Sequence, residues 1–426
     1  MPSDLHLLSP RGFRAAGVYA GIKSKHAPDV GLLVCETPAT AAAVFTTNKV
    51  FAAPVKIGRE HVADGMLKGV VVNAGNANAC TGKQGERDAN RMCRVAAQVF
   101  GCDAREVLPS STGIIGHLMP MEKVEAGIRD AGQYLGDSME HALLFADSIL
   151  TTDLVRKSAA VQFKLGRQTV TLAGVCKGSG MIGPRMALAG GGVRGQGSGV
   201  RKAARRSSLK GRHATMLAYL TTDAAVPAPQ LRRLMSAAAD ASFNAVTVDD
   251  HTSTNDTAVL LASGASGAKV ASAADLKKFA AALDEVSRSL AYQIAKDGEG
   301  ATKVVVITVK GAKSDADARL MTRAIANSPL VKCAMHGNDP NWGRIVSAAG
   351  LCGAAFDPDR ATLTLQGTIV FRNGRPVPFD AEKVSTLLKA PEVRAELSCR
   401  LGKSDATVYT CDLSKEYVTI NADYHT

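Results

Sequence analysis

A threonine hydroxyl is a weak nucleophile unless a base stands beside it. A chain cut immediately before a threonine supplies that base as its own freed α-amino group. Thr215 lies in a stretch suited to such a cut, Ala214-Thr215-Met216-Leu217-Ala218-Tyr219-Leu220-Thr221-Thr222. Small Ala214 leaves the scissile carbonyl accessible, and the strand-forming run behind Thr215 would anchor the new N-terminus. An Ala-Thr pair alone is ordinary packing, so the reading depends on the blocks around it. The nearest is Lys177-Gly178-Ser179-Gly180-Met181-Ile182, where glycines would let the main chain approach a ligand and an ammonium could meet a carboxylate.

Further blocks follow in order along the chain. They are Gly12 to Val18 with Ala20-Gly21-Ile22-Lys23, Asn73-Ala74-Gly75-Asn76-Ala77-Asn78, Ser111-Thr112-Gly113-Ile114-Ile115-Gly116 and Thr151-Thr152-Asp153. After the Lys177 and Thr215 blocks come Asp249 to Asp256, Gly298-Glu299-Gly300, Asp339-Pro340-Asn341-Trp342-Gly343-Arg344, and Asn421 to Thr426. Together, nearly end to end, they resemble the ornithine acetyltransferase (glutamate N-acetyltransferase) family of arginine biosynthesis. The resemblance implies self-cleavage between Ala214 and Thr215, with Thr215 carrying acetyl from N-acetylornithine to glutamate. It implies an oxyanion hole at Thr112 and Gly113 and substrate contacts at Thr151, Lys177, Thr215, Glu299, Asn421 and Thr426. Thr152 stands close enough to Thr151 to compete for that assignment. Without the resemblance, Thr112-Gly113 is a plain glycine turn, Lys177 a surface lysine at a strand end and Glu299 a solvated acid. The resemblance also implies a dimer of αβ pairs and no bound cofactor, with acetyl-CoA open as a second donor.

The chain departs from the family pattern between its two central blocks. Pro184, Met186 and Ala187 appear where expected, but Leu188 stands where the family has its threonine. Residues 188–214 form an insertion with seven basic residues and no acidic one, rich in Gly and Ser and without Phe, Trp or Tyr. This composition predicts a solvated loop. A basic run can bind phosphate backbones, but the solvated-insertion reading is favoured over nucleic acid. Two other function classes fit the same residues: an N-terminal-nucleophile amidase or aminopeptidase with water as acceptor, and a binding protein in which the insertion has ended catalysis.

The elements that must position these groups read as mixed α/β. Strands are predicted at Val70–Asn73, Val170–Val175, Tyr219–Thr222, Val246–Val248, Lys303–Val309 and Ala361–Leu365. Helices are predicted at Glu86–Phe100, Ser138–Leu150, Pro229–Ala241, Ala273–Lys296 and Arg319–Ala326. Leu276, Phe279, Ala280, Leu283, Val286 and Leu290 recur every three to four residues and mark a buried helical face. The family implies a sheet sandwich with flanking helices, shared by an α chain (1–214) and a β chain (215–426). Residues 215–305 would complete the sandwich and 306–426 would form a smaller C-terminal α/β domain.

Other chemistries find little support. Gly178 to Gly183 satisfies G-x-G-x-x-G, but Pro184 and a Gly-rich basic stretch follow where a dinucleotide site needs a helix. Nine dispersed cysteines without a Cys-x-x-Cys pair read as reduced thiols, and the histidines show no ligand spacing, so no metal is expected. Asp249, Asp250 and Asp256 lack calcium-loop spacing and read as a hydrogen-bonded turn near the active site. No apolar run spans a membrane and no signal-peptide pattern is visible, so a cytoplasmic location is expected.

Overall fold

The computed structural model describes residues 4–189 and 215–423. Most of the predicted basic loop, Ala214 and Thr426 lie outside the described residues. The chain divides into two compact units.

The first unit is built on nine strands, among the described residues: β1 Phe13–Val18, β2 Val30–Thr46, β3 Met66–Asn76, β4 Val107–Ile114, β5 Lys157–Leu165, β6 Gln168–Lys177, β7 Met186–Leu188, β8 Leu217–Thr222 and β9 Thr257–Ala262. They form one hydrogen-bonded sheet in the order β4-β3-β2-β9-β8-β6-β5, with β1 and β7 both added to β2. Pairing is antiparallel except for β3 with β4 and β8 with β9. Helices α1 Ala53–His61, α2 Gly82–Phe100, α3 Met121–Gln133, α4 Met139–Ser148 and α5 Ala228–Ala241 accompany it.

The sheet does not lie flat. β4 and β8 are four strand spacings apart, roughly 19 Å in a plane at about 4.8 Å per spacing. Yet Tyr219 on β8 lies beside Ser110 on β4, so the sheet must fold over on itself. The fold occurs in the 17-residue β2, where the register with β3 slips between Val34 and Ala39 and Glu36, Thr37 and Pro38 are exposed. The two halves make the expected sandwich. Alternation assigns each strand's faces: Leu33, Val70, Val72, Leu217, Tyr219, Val259 and Leu261 share one core with Phe145 of α4, while Leu32, Val34 and Val71 face a second core with α2 and α3. Both central strands β8 and β9 come from beyond Thr215, so the segments on either side of the expected cut complete one sheet.

The second unit comprises Ala245–His251 and Ala291–Asp423. Its strands are β10 Val304–Ala312, β11 Thr362–Leu365, β12 Thr368–Arg372, β13 Arg375–Pro376, β14 Glu392–Ser398 and β15 Ser404–Cys411, ordered β13-β12-β11-β14-β10-β15. The 24-residue α6, Ala273–Lys296, carries the chain into this unit. Ser272 and Asp275 close its N-terminus by exchanging hydrogen bonds. Helices α7 Asp315–Asn327, α8 Pro329–His336, α9 Trp342–Leu351, α10 Ala381–Leu387 and α11 Lys415–Ala422 complete the unit. Met321 and Ile325 of α7 and Ala349 of α9 pack with Val305, Ile307 and Leu363 in its core.

Besides Ala245–His251, the second unit takes up the chain from Ala291, inside α6, and the last turns of α6 pack within it: Tyr292 meets Tyr409 edge-on at 5.9 Å. Contrary to expectation, residues 246–248 form no strand. Val246 makes a single bridge to Tyr409, and the Thr247 hydroxyl turns to Asn327.

Candidate active site

Thr215 stands two residues before β8 and is 3% exposed. Parallel pairing of β8 with β9 sets Leu217 against Thr257. The residues before β8 therefore meet the turn before β9, Ser253-Thr254-Asn255-Asp256. Thr215 Oγ1 lies 2.8 Å from Ser253 Oγ. The Asp256 carboxylate accepts from Met216 N at 3.0 Å and from Ser253 N at 3.0 Å, and Thr257 N donates to the Met216 carbonyl. Backbone on both sides of the hydroxyl pair is thus fixed, which holds a nucleophile in one geometry.

Thr112 and Gly113 close β4, whose parallel partner β3 sets Gly75 against Gly113. Gly113 has φ +135°, and a Cβ there would fall 2.2 Å from Gly75 C and 2.4 Å from Asn76 N. No other residue fits. The Thr112 hydroxyl is buried without a hydrogen-bond partner among the described residues. That costs roughly 1–3 kcal/mol and marks a donor kept for something other than the fold. Asn255 ties this strand end to the nucleophile. Its side-chain amide donates to Ala77 O and Ser111 O, each at 2.8 Å, and its backbone N–H donates to Ser253 Oγ at 3.2 Å. A short network therefore runs from the Thr215 hydroxyl to the peptide group ahead of Thr112.

Lys177, at the end of β6, is fully buried rather than a surface lysine. Its ammonium donates to Thr151 Oγ1 at 2.7 Å and lies 3.5 Å from Asp153 Oδ2. Asp153 also takes Lys157 Nζ at 2.7 Å and Gly178 N at 2.6 Å. Burial opposes ionisation of Asp153, but the charges of Lys177 and Lys157 and the donors aimed at it hold its carboxyl well below the usual range. Thr151, not Thr152, engages Lys177. The Thr152 hydroxyl has no hydrogen-bond partner among the described residues.

Lys23, from the same early glycine block, donates to Pro28 O at 2.6 Å and Asp147 O at 3.2 Å. Burial pushes its ammonium down to about 8, with Lys177 adding and Asp29, Asp153 and Asp147 opposing. A lysine whose folded pKa is lowered binds fewer protons folded than unfolded between the two values. Stability should therefore rise from pH 8 towards 10.5 relative to Lys23→Met. Urea midpoints of the two proteins across that window measure the difference, and a gap that does not change with pH would refute it.

In the second unit, Glu299 occupies the turn after α6, closed by Ala301 N donating to Gly298 O. It is 9% exposed, not a solvated acid. Asn421 of α11 donates to Glu299 Oε2 at 3.2 Å, so two of the expected substrate contacts meet. Asp249 and Asp250 also belong to this unit, bound by Tyr417 Oη and Arg323 Nε. The three aspartates therefore do not form one turn: only Asp256 serves the Thr215 clamp.

No helix follows Gly178–Gly183. The chain turns into β7, which excludes the dinucleotide geometry. Among the described residues no cluster of three His, Cys, Asp or Glu is arranged to hold a metal ion, and no helix is long and apolar enough to cross a membrane. β7 holds the Met186-Ala187-Leu188 stretch where the family pattern breaks, paired with Thr46 to Val44 of β2. Thr46 in turn binds Ser253 O and Asp256 O. The chain thus enters the insertion beside the clamp that holds Thr215. Ser253, Asn255 and Asp256 carry no role in the sequence reading beyond a turn near the site. Only the parallel register of β8 and β9 brings them to the nucleophile.

The chain is similar to known proteins along nearly its whole length. The arginine biosynthesis bifunctional protein ArgJ of Symbiobacterium thermophilum is 44% identical over 422 residues, covering 98% of each chain. That of Geobacter sulfurreducens is also 44% identical over 422 residues, covering 98% of this chain and all of the relative. A solved ornithine acetyltransferase of Mycobacterium tuberculosis, in complex with ornithine, is 36% identical, with a TM-score of 0.40, over 44% of this chain and 98% of that one. The ArgJ family model matches residues 14–426, and the chain belongs to the ArgJ family.

Proposed function

We propose that this chain cuts itself between Ala214 and Thr215 and then, as an acetyltransferase of arginine biosynthesis, moves acetyl from N-acetylornithine to glutamate. The observation that carries the site assignment is the clamp on Thr215: a hydroxyl 2.8 Å from Ser253 and tied through Asn255 to the Thr112–Gly113 strand end.

In the uncut chain Thr215 Oγ1 attacks the Ala214 carbonyl carbon. The peptide C–N bond breaks to an ester, and water hydrolyses the ester to free the Thr215 amine. In turnover that amine takes the hydroxyl proton as Oγ1 attacks the acetyl carbonyl of N-acetylornithine. The amide C–N bond breaks, ornithine leaves carrying the proton, and glutamate's amine then takes the acetyl group by the reverse path. Thr112 and the Gly113 N–H meet the negative oxygen of each tetrahedral intermediate, the kind of contact worth about a hundredfold or more in rate. Lys177, set by Thr151 and Asp153, meets a substrate carboxylate. Glu299 with Asn421 meets an amino group, and Thr426 completes the substrate contacts. No bound cofactor is required, and acetyl-CoA is a second possible donor at the same threonine. The assembly is a dimer of αβ pairs in the cytoplasm.

In this reading the insertion takes no part in catalysis, since the chain leaves beside the Thr46–Ser253–Asp256 contacts and returns to them. Its closure costs only on the order of a few kcal/mol, growing slowly with length. Deleting residues 188–214 restores Met186-Ala187 directly before Thr215. The shortened protein should cut itself and transfer acetyl from N-acetylornithine to glutamate at least as fast as the full chain, by gel and by a coupled ornithine assay. Loss of transfer in a deletion variant that still cuts itself would show the insertion to be a working part.

A further inference from the structure

α11 lies against the Glu299 turn in a way that the transfer chemistry does not itself require. The helix fully buries none of its residues: Tyr417 and Ile420 are half-buried and Val418 is 61% exposed, so apolar burial alone does not set its position. Polar contacts help fix it. At its start the Ser414 hydroxyl caps Tyr417 N and donates to Gly300 O at 2.6 Å. Gly300 has φ +68°, and a Cβ there would fall 2.4 Å from Tyr417 N, so the turn and the helix touch backbone to backbone. Tyr417 Oη donates to Asp249 Oδ2 at 3.2 Å. One turn on, and on the same face, Asn421 donates to Glu299 Oε2 at 3.2 Å and to Tyr417 O at 2.9 Å. Burial first, then the charge of Asp249 and its hydrogen bond, push the Tyr417 hydroxyl well above its ordinary range. It remains a donor at neutral pH.

We propose that Tyr417 and Asp249 are positioning residues for the amino-acid site: their hydrogen bond sets α11 so that Asn421 meets Glu299, and so governs substrate affinity rather than the rate of acyl transfer. The proposal rests on Glu299 being the amino-group contact given above.

The experiment uses the full-length protein and its steady-state kinetics with N-acetylornithine and glutamate. Tyr417→Phe, which removes one oxygen atom, should raise both KM values roughly tenfold, the scale of a lost hydrogen bond to a carboxylate. Its kcat should stay within about twofold, with self-cleavage intact. Asp249→Ala, which removes the acceptor, should act in the same direction. The double variant should be no worse than the more affected single one, because one bond is lost in every case. An unchanged KM in Tyr417→Phe, or a fall in kcat at constant KM, would overturn the proposal. Glu299→Gln, measured in parallel, separates the two layers. If it raises KM while Tyr417→Phe does not, only the positioning role fails. If it leaves KM unchanged, the amino-acid-site reading fails and takes this inference with it.

Discussion

Thr215→Ala should run on a denaturing gel as one 44.4 kDa chain and lose transfer altogether. Both steps need the same oxygen. Without it no ester forms at Ala214, so no α-amine is freed, and no acetyl group can be held. Removing a covalent nucleophile typically costs on the order of 10⁴-fold or more even when the binding groups remain. Here the general base disappears with it, because that base is the product of the cut. Thr215→Ser keeps the oxygen and should cut and transfer, at reduced rate. Because Met216 N and its carbonyl are held by Asp256 and Thr257 whatever residue precedes them, the loss in Thr215→Ala should leave the fold intact. Unfolding of that variant would contradict the claim that the clamp is independent of the nucleophile.

Asp153→Ala should cost several kcal/mol of stability as well as activity. It leaves Lys157 and Lys177, both fully buried, without the carboxylate they share, and breaking a buried ion pair from one side typically costs about 3–5 kcal/mol. The pH dependence has a definite sign. The Asp153 carboxyl is held below its unfolded range, so its contribution is complete above an unfolded pKa of about 3.9 and is lost as pH falls towards the folded value. The gap in denaturation midpoint between wild type and Asp153→Asn should therefore hold at pH 5 and shrink only below about pH 4. A gap that closes between pH 5 and 7 would show that another group provides the stability.

How much of this was legible beforehand differs from residue to residue, for physical reasons. Lys177, Thr151, Glu299 and Thr112-Gly113 are singled out by the family resemblance of the blocks they stand in, whereas α6 announces itself by a three-to-four repeat from Leu276 to Leu290. β2 does not. Glu36-Thr37-Pro38 interrupts it, and Ala39 to Ala43 is a run of small residues with little strand preference of its own. Its extended form comes from pairing with β3, β9, β1 and β7. Ser253, Asn255 and Asp256 were visible as turn formers, but their approach to Thr215 depends on the register of two parallel strands some 40 residues apart. Local periodicity carries no such information. The division into compact units within α6 is hidden in the sequence for the opposite reason. α6 is one continuous apolar repeat, and nothing in the repeat marks Ala291 as the point where its partners change.

The central claim is that Thr215 becomes an N-terminal nucleophile and carries the acetyl group. Intact-mass analysis of the fresh full-length protein tests it most directly, before and after exposure to N-acetylornithine without glutamate. The account predicts two fragments, the second beginning Thr-Met-Leu-Ala-Tyr, and after exposure a second fragment heavier by one acetyl group located on Thr215. A single uncut chain that still transfers acetyl, or an acetyl group found on any other residue, would contradict it.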